Sequence, residues 1–191
     1  DYVGGFVGEN FGSFADCYTG GHVTGGAYVG GLVGQNGDYG RAAHTYAAIA
    51  RCYSRSRVSA EDQTAGGLVG RHELGEITAS FWDMDISGQT ASSGEIGFMA
   101  TGTDHGVGLT TMAMKTLGTF LDAGWDFVGE TENGTEEIWW IDDGHDYPRL
   151  WWEREEGEPE VVIELSAAGF DAQIAEGVVL VDFYATWCSF C

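Results

Sequence analysis

The sequence predicts a mainly β chain: a parallel β-solenoid over residues 1–90, an aromatic-rich closing region over 91–152, an acidic linker at 153–159, and an incomplete α/β segment from 160 to 191. Three observations predict it. A short glycine block recurs three times in the first half. Glycine is abundant (31 residues) while proline is scarce (2), a balance that suits tight turns between short strands better than a disordered linker. After residue 159 the patterning changes to strand, short helix and buried strand.

The repeat comes first. Gly4-Gly5-Phe6-Val7-Gly8, Gly30-Gly31-Leu32-Val33-Gly34 and Gly66-Gly67-Leu68-Val69-Gly70 share Gly-Gly-x-Val-Gly. Each is followed by a second block, starting at Cys17, Cys52 and Ser80, in which an aromatic comes next and Val23, Val58 or Ile86 stands six residues on. Units this small cannot bury a face alone, but stacked coils can. Stacking predicts one ladder of Cys17, Cys52 and Ser80 and another of Val23, Val58 and Ile86, with rungs about 4.8 Å apart. The second unit carries nine extra residues between its glycine block and its cysteine. Residues 36–48, inside that stretch, are therefore expected to protrude as a loop.

The blocks resemble GLUG-motif repeats, which occur in secreted and cell-surface bacterial and archaeal proteins. That resemblance implies an extracellular or cell-surface scaffold and supplies no catalytic residue. The stretch FWDMDISGQTASSG, GLTTMAMKTLGTF, GWDF and IDDGHDYPRLWW is similar to the segment that commonly closes a GLUG array. Within it, Thr111 is placed to cap a short helix running to about Asp122, with Gly124 as its stop and Met114, Leu117 and Leu121 on one apolar face. Six of the seven tryptophans, at 82, 125, 139, 140, 151 and 152, lie here. They can cap the open end of the stack or stack against glycan rings.

Composition narrows the partners. Thirty acidic against eight basic residues give a net charge of −22, which disfavours nucleic acid and anionic lipid. No apolar run approaches the roughly 18 residues of a membrane span. Asp83, Asp85, Ser87 and Gly88 spell the front of an EF-hand-like calcium loop, but its twelfth position is Gly94 instead of glutamate. The same residues are explained by the third repeat, so calcium is the one cofactor left open and no other is implied. The histidines at 22, 44, 72, 105 and 145 show no zinc spacing and are expected on the surface or in loops. Cys17 and Cys52, at one repeat position, are expected as a reduced, buried pair, because parallel in-register neighbours give poor disulfide geometry.

The last segment is different chemistry. Val178 to Tyr184 reads as a central parallel strand, and Val-Asp-Phe-Tyr-Ala-x-Trp leads into Cys188-x-x-Cys191. Residues 160–191 resemble the opening third of a thioredoxin-like domain. The resemblance implies Cys188 as the nucleophile, Cys191 as the resolving thiol, Trp187 as the flanking aromatic and Asp182 as the buried carboxylate that helps move the proton. Ser189-Phe190 replaces the usual Gly-Pro, which leaves reductase, oxidase and isomerase all open. Asp1 and Cys191 both read as cuts, so these residues are expected to identify the chemistry while being inactive on their own. The function expected is a surface scaffold fused to a thiol–disulfide oxidoreductase acting on a protein disulfide. The alternative is an adhesion or glycan-binding module with no enzymatic role.

Overall fold

The computed structural model describes residues 1–38, 40, 46–97, 100 and 105–154. The chain divides into two units, Asp1–Arg154 and Glu155–Cys191, and every described residue belongs to the first. That unit is mainly β, with parallel sheets.

Each repeat contributes strands at equivalent places. The first gives β1 (Val3–Gly4), β2 (Val7–Asn10), β3 (Ser13–Ala15) and β4 (Tyr18–Gly25). The second gives β5 (Val29–Gly30), β6 (Val33–Asn36), β7 (Ala47–Ala50) and β8 (Tyr53–Ala60). The third gives β9 (Ala65–Gly66), β10 (Val69–His72) and one long strand, β11 (Gly75–Asp83). Equivalent strands pair in parallel, with Val3, Val29 and Ala65 in one row and Val7, Val33 and Val69 in another. Leu32, Val33, Ile49, Cys52, Leu68, Val69, Ile77 and Trp82 form one buried cluster between the sheets, with Leu32 and Leu68 entering it from the turns just before β6 and β10.

The glycine motif is explained by clearance. A Cβ on Gly30 would fall against the Val33 carbonyl oxygen, 2.6 Å from the Gly70 nitrogen and 2.7 Å from the Leu68 oxygen. Gly4 and Gly66 meet the same obstacles, the Val7 and Val69 carbonyls and the backbone of the next layer. Backbone packs on backbone at these points, and no side chain fits.

A fourth layer follows that the repeat does not spell out. After α1 (Met84–Ser87), β12 (Ser93–Ile96) pairs with β10, and β13 (His105–Leu109) pairs with β11. Of the motif only Gly94 survives, where a Cβ would lie 2.6 Å from the Thr64 carbonyl carbon.

Two ladder expectations separate here. Tyr53 N donates to the Cys17 carbonyl at 3.1 Å and Phe81 N to the Cys52 carbonyl at 2.9 Å, which places Cys17, Cys52 and Ser80 in one column. Val23 pairs with Val58, but Ile86 does not join them. The Asp83 side chain accepts the Ile86 N–H at 3.0 Å and Gly88 closes the turn at φ 70°, so the chain leaves the sheet as α1 and exposes Ile86.

Both ends of the expected loop, residues 36–48, lie in strands, and residues 39 and 41–45 within it lie outside the described residues. Asn36 ends β6 and Ala47 opens β7, and both are fully buried. Asn36 is held by the Asn10 amide at 2.8 Å and by its own contact to His72 Nδ1 at 3.2 Å, a polar ladder through three layers. Deleting residues 38–46, which leaves Gly37 joined to Ala47, is expected to change stability by less than about 1 kcal/mol. Thermal unfolding of the deletion variant should remain one cooperative transition.

β12 and β13 of the closing region pair on the strands of the last repeat, while its later residues pack on the outer side of the sheet, across Tyr18, Tyr53 and Phe81 of three successive layers. Its helix is shorter than expected: a 3-10 turn at Ala113–Lys115 precedes α2 (Leu117–Leu121). Thr110, not Thr111, accepts the Ala113 N–H, because the Thr111 hydroxyl is drawn to Asp83 at 2.7 Å. Met114 and Phe120 are the buried residues, with Leu117 and Leu121 half-buried beside them. Gly124, at φ 79°, ends the helix: its N–H reaches Leu121 O and that of Trp125 reaches Phe120 O. The two-stranded β14 (Trp139–Trp140) and β15 (Arg149–Leu150) complete the region.

Candidate functional site

The four residues expected to carry redox chemistry, Asp182, Trp187, Cys188 and Cys191, lie outside the described residues. Within the first unit, reactive side chains converge at two places.

The first is the thiol column. Asp16, Arg51 and Ala79 occupy equivalent corners with φ of 57°, 48° and 46°. This left-handed turn precedes Cys17, Cys52 and Ser80 alike. Cys17 Sγ donates to the carbonyl of Ala15 at 3.2 Å and Cys52 Sγ to that of Ala50 at 3.1 Å, so the two thiols take matching orientations. Both are free, Cys17 half-buried and Cys52 fully buried. Its interaction with Cys17 and its burial push the Cys52 thiol far up, while the Cys52 thiol holds Cys17 below its ordinary value. Above them Arg51 grips both oxygens of Asp16, at 2.8 and 2.7 Å, and Trp139 Nε1 adds a bond to Asp16 at 3.3 Å. Two free thiols in one column match the expected pair, but only Cys52 is buried as expected; the guanidinium–carboxylate clamp beside them had no local signature.

The second is a buried carboxylate. Asp83 is fully buried and accepts from three donors: Ile86 N at 3.0 Å, Thr111 Oγ1 at 2.7 Å and Tyr147 Oη at 2.5 Å. Asp85 accepts the Thr111 N–H at 2.9 Å. These carboxylates tie α1 to the closing region in the place where a calcium loop was weighed. Burial, then the bond to Asp83, push Tyr147 up to about 12. Tyr147 stacks on Tyr53, which stacks on Tyr18, and the Arg55 guanidinium lies 5.1 Å from the Tyr147 ring centre and 6.0 Å from that of Tyr18.

The histidine expectation needs one correction. His72 is fully buried within β10, because its column position is the one that holds Asn10 and Asn36 in the layers before it. His22 and His145 are exposed. Among the described residues no group of three or more His, Cys, Asp or Glu is arranged to hold a metal ion. The tryptophans divide: Trp82, Trp125 and Trp139 are buried, while Trp151 and Trp152 are 53% and 59% exposed and meet edge to face at 6.0 Å.

Comparison with known proteins decides what the second unit is similar to. Residues 161–191 match the thioredoxin family. The match covers the whole Cys188-x-x-Cys191 motif together with Asp182 and Trp187. The chain is also 32% identical over 130 residues to a protein of Evansella cellulosilytica described as "Putative Gly-rich membrane protein", covering 64% of this chain. It spans 12% of that relative's length. No solved structure matches. Among the described residues no helix is long and apolar enough to cross a membrane.

Proposed function

We propose that this chain is part of a secreted or cell-surface repeat scaffold that carries a thioredoxin-like thiol–disulfide oxidoreductase. The observation that carries the enzymatic part is the thioredoxin match across both cysteines of the motif. In this reading the Cys188 thiolate attacks a protein disulfide, one substrate sulfur leaves as a thiol, and Cys191 then displaces the other. Two protein thiols are oxidised to a disulfide as the substrate disulfide is reduced. Asp182 receives and returns the proton, and Trp187 flanks the nucleophile. For the scaffold part, the parallel registers joining successive repeats support coils of one β-solenoid of GLUG type. The surface location is supported by that resemblance and by the described membrane-protein relative.

The test is a chimera in which residues 161–191 replace the opening segment of a thioredoxin. It should reduce insulin, and Cys188→Ser should lower turnover at least ~100-fold because the attacking sulfur is gone. Cys191→Ser should accumulate a mixed disulfide visible by mass spectrometry. Turnover retained in the Cys188→Ser chimera would sink the assignment. A second reading, a glycan-binding surface, is favoured by the exposed Trp151–Trp152 pair alone. It predicts retention on a polysaccharide matrix that Trp151→Ala removes.

A further inference from the structure

We propose that Cys17 and Cys52 form a two-coordinate, linear site for a soft monovalent cation of the Cu(I) class. This site is independent of Cys188 and Cys191. The pairs Ala15 with Ala50 and Tyr18 with Tyr53 share one register, which sets Cys17 directly over Cys52 in neighbouring layers. Each thiol bonds the carbonyl two residues before it, at 3.2 and 3.1 Å, so both side chains point the same way. Sulfurs that repeat in this manner stand about one layer apart, roughly 4.8 Å.

That spacing discriminates between chemistries. A disulfide needs sulfurs about 2.05 Å apart on converging Cβ vectors, which parallel rungs do not offer. Two thiolate–metal bonds placed in line, each somewhat shorter than the roughly 2.3 Å of a four-coordinate zinc thiolate, span about 4 Å or a little more, within a small side-chain adjustment of the rung spacing. Zinc is disfavoured, because it takes four ligands and the column's third member is Ser80. The Ser80 hydroxyl is already used, accepting from Cys52 N at 3.1 Å and donating to Thr78 O at 2.9 Å. Cys52 sits in the cluster of Leu32, Ile49, Leu68, Ile77 and Trp82, an apolar shell that suits a soft, weakly hydrated cation and rejects hard ones. Arg51 and Asp16 at the preceding corner form a neutral ion pair beside the thiols, so a bis-thiolate complex there keeps its net charge of −1.

Binding is a metal-for-proton exchange. Two S–H bonds break, two S–metal bonds form, both protons leave to water and the cation keeps its oxidation state. The half-buried Cys17 gives the entry side.

The test uses the full chain with Cys188→Ser and Cys191→Ser, so that Cys17 and Cys52 are the remaining thiols among its four cysteines. Anaerobic Cu(I) titration against the chelator bathocuproine disulfonate should leave one copper per chain. A near-ultraviolet thiolate-to-copper band and a raised thermal midpoint should accompany it. X-ray absorption should show two sulfur neighbours. Adding Cys17→Ser should keep the fold, verified by an unchanged circular dichroism spectrum, and abolish copper retention and the band. Complete loss of copper to the chelator before that substitution would overturn the proposal. So would equal retention after it, or three or more sulfur ligands.

Discussion

Replacing Gly30 by alanine is expected to abolish folding at ambient temperature, with a loss of more than about 4 kcal/mol. The added methyl would sit against the Val33 carbonyl oxygen and within 2.6–2.7 Å of Gly70 N and Leu68 O, all backbone atoms of the same or the next layer. No rotamer change relieves a clash made by Cβ itself, so the layers themselves must separate. Layer separation would break the β5–β9 and β6–β10 pairings together. Gly12→Ala is the control. Nothing lies within 4 Å of its added carbon, so it should be neutral or stabilise by up to about 1 kcal/mol through the unfolded chain. Chemical denaturation of the two variants separates the outcomes, since equal midpoints would show that the glycine block does not mark backbone contact between layers.

The same clearance explains why so much of the first half was legible. A position where only glycine fits repeats in the sequence as faithfully as in the structure, so Gly4, Gly30 and Gly66 announce the layers. The cysteine column was legible for a related reason: each inward residue sits on its equivalent in the next layer, and the sequence carries the same spacing. Where a layer is built with little of the motif, the signal disappears. The fourth layer keeps Gly94 but has Ala91, Ser92 and Ser93 where the others have a full block.

Local register misled at Ile86, which stands six residues after Ser80 as Val23 and Val58 stand after their cysteines. Spacing carries no information on whether the strand continues, and the Asp83 cap ends it. The Asp83–Tyr147 bond joins residues 64 apart and has no short-range pattern to betray it. His72 was missed although a signal existed: Asn10, Asn36 and His72 each stand two residues after the last glycine of their block, a polar column among apolar ones. The thioredoxin-like segment was legible because the residues around Cys188 and Cys191 are specific in combination, and the family match spans the same stretch.

Trp125→Ala should cost about 3–5 kcal/mol, a large share of the 5–15 kcal/mol typical of a domain. Trp125 is fully buried where the closing region meets the sheet. Its ring lies 4.6 Å from that of Trp139, 4.9 Å from Phe120, 5.9 Å from Phe81 and 6.4 Å from Tyr53. Truncation removes an aromatic from a cluster whose neighbours Tyr53, Phe81 and Trp139 are fixed in hydrogen-bonded strands, so the void cannot collapse fully. It also strands the Ala79 carbonyl, which accepts Trp125 Nε1 at 2.9 Å from a corner held at φ 46°. Trp125→Phe keeps most of the packing and loses that bond, so it should cost about 1–3 kcal/mol. The ordering alanine worse than phenylalanine worse than wild type, read from urea midpoints, tests whether packing dominates. If the two variants were equally destabilised, the hydrogen bond to the corner, and not the aromatic cluster, would be what fastens the closing region to the sheet.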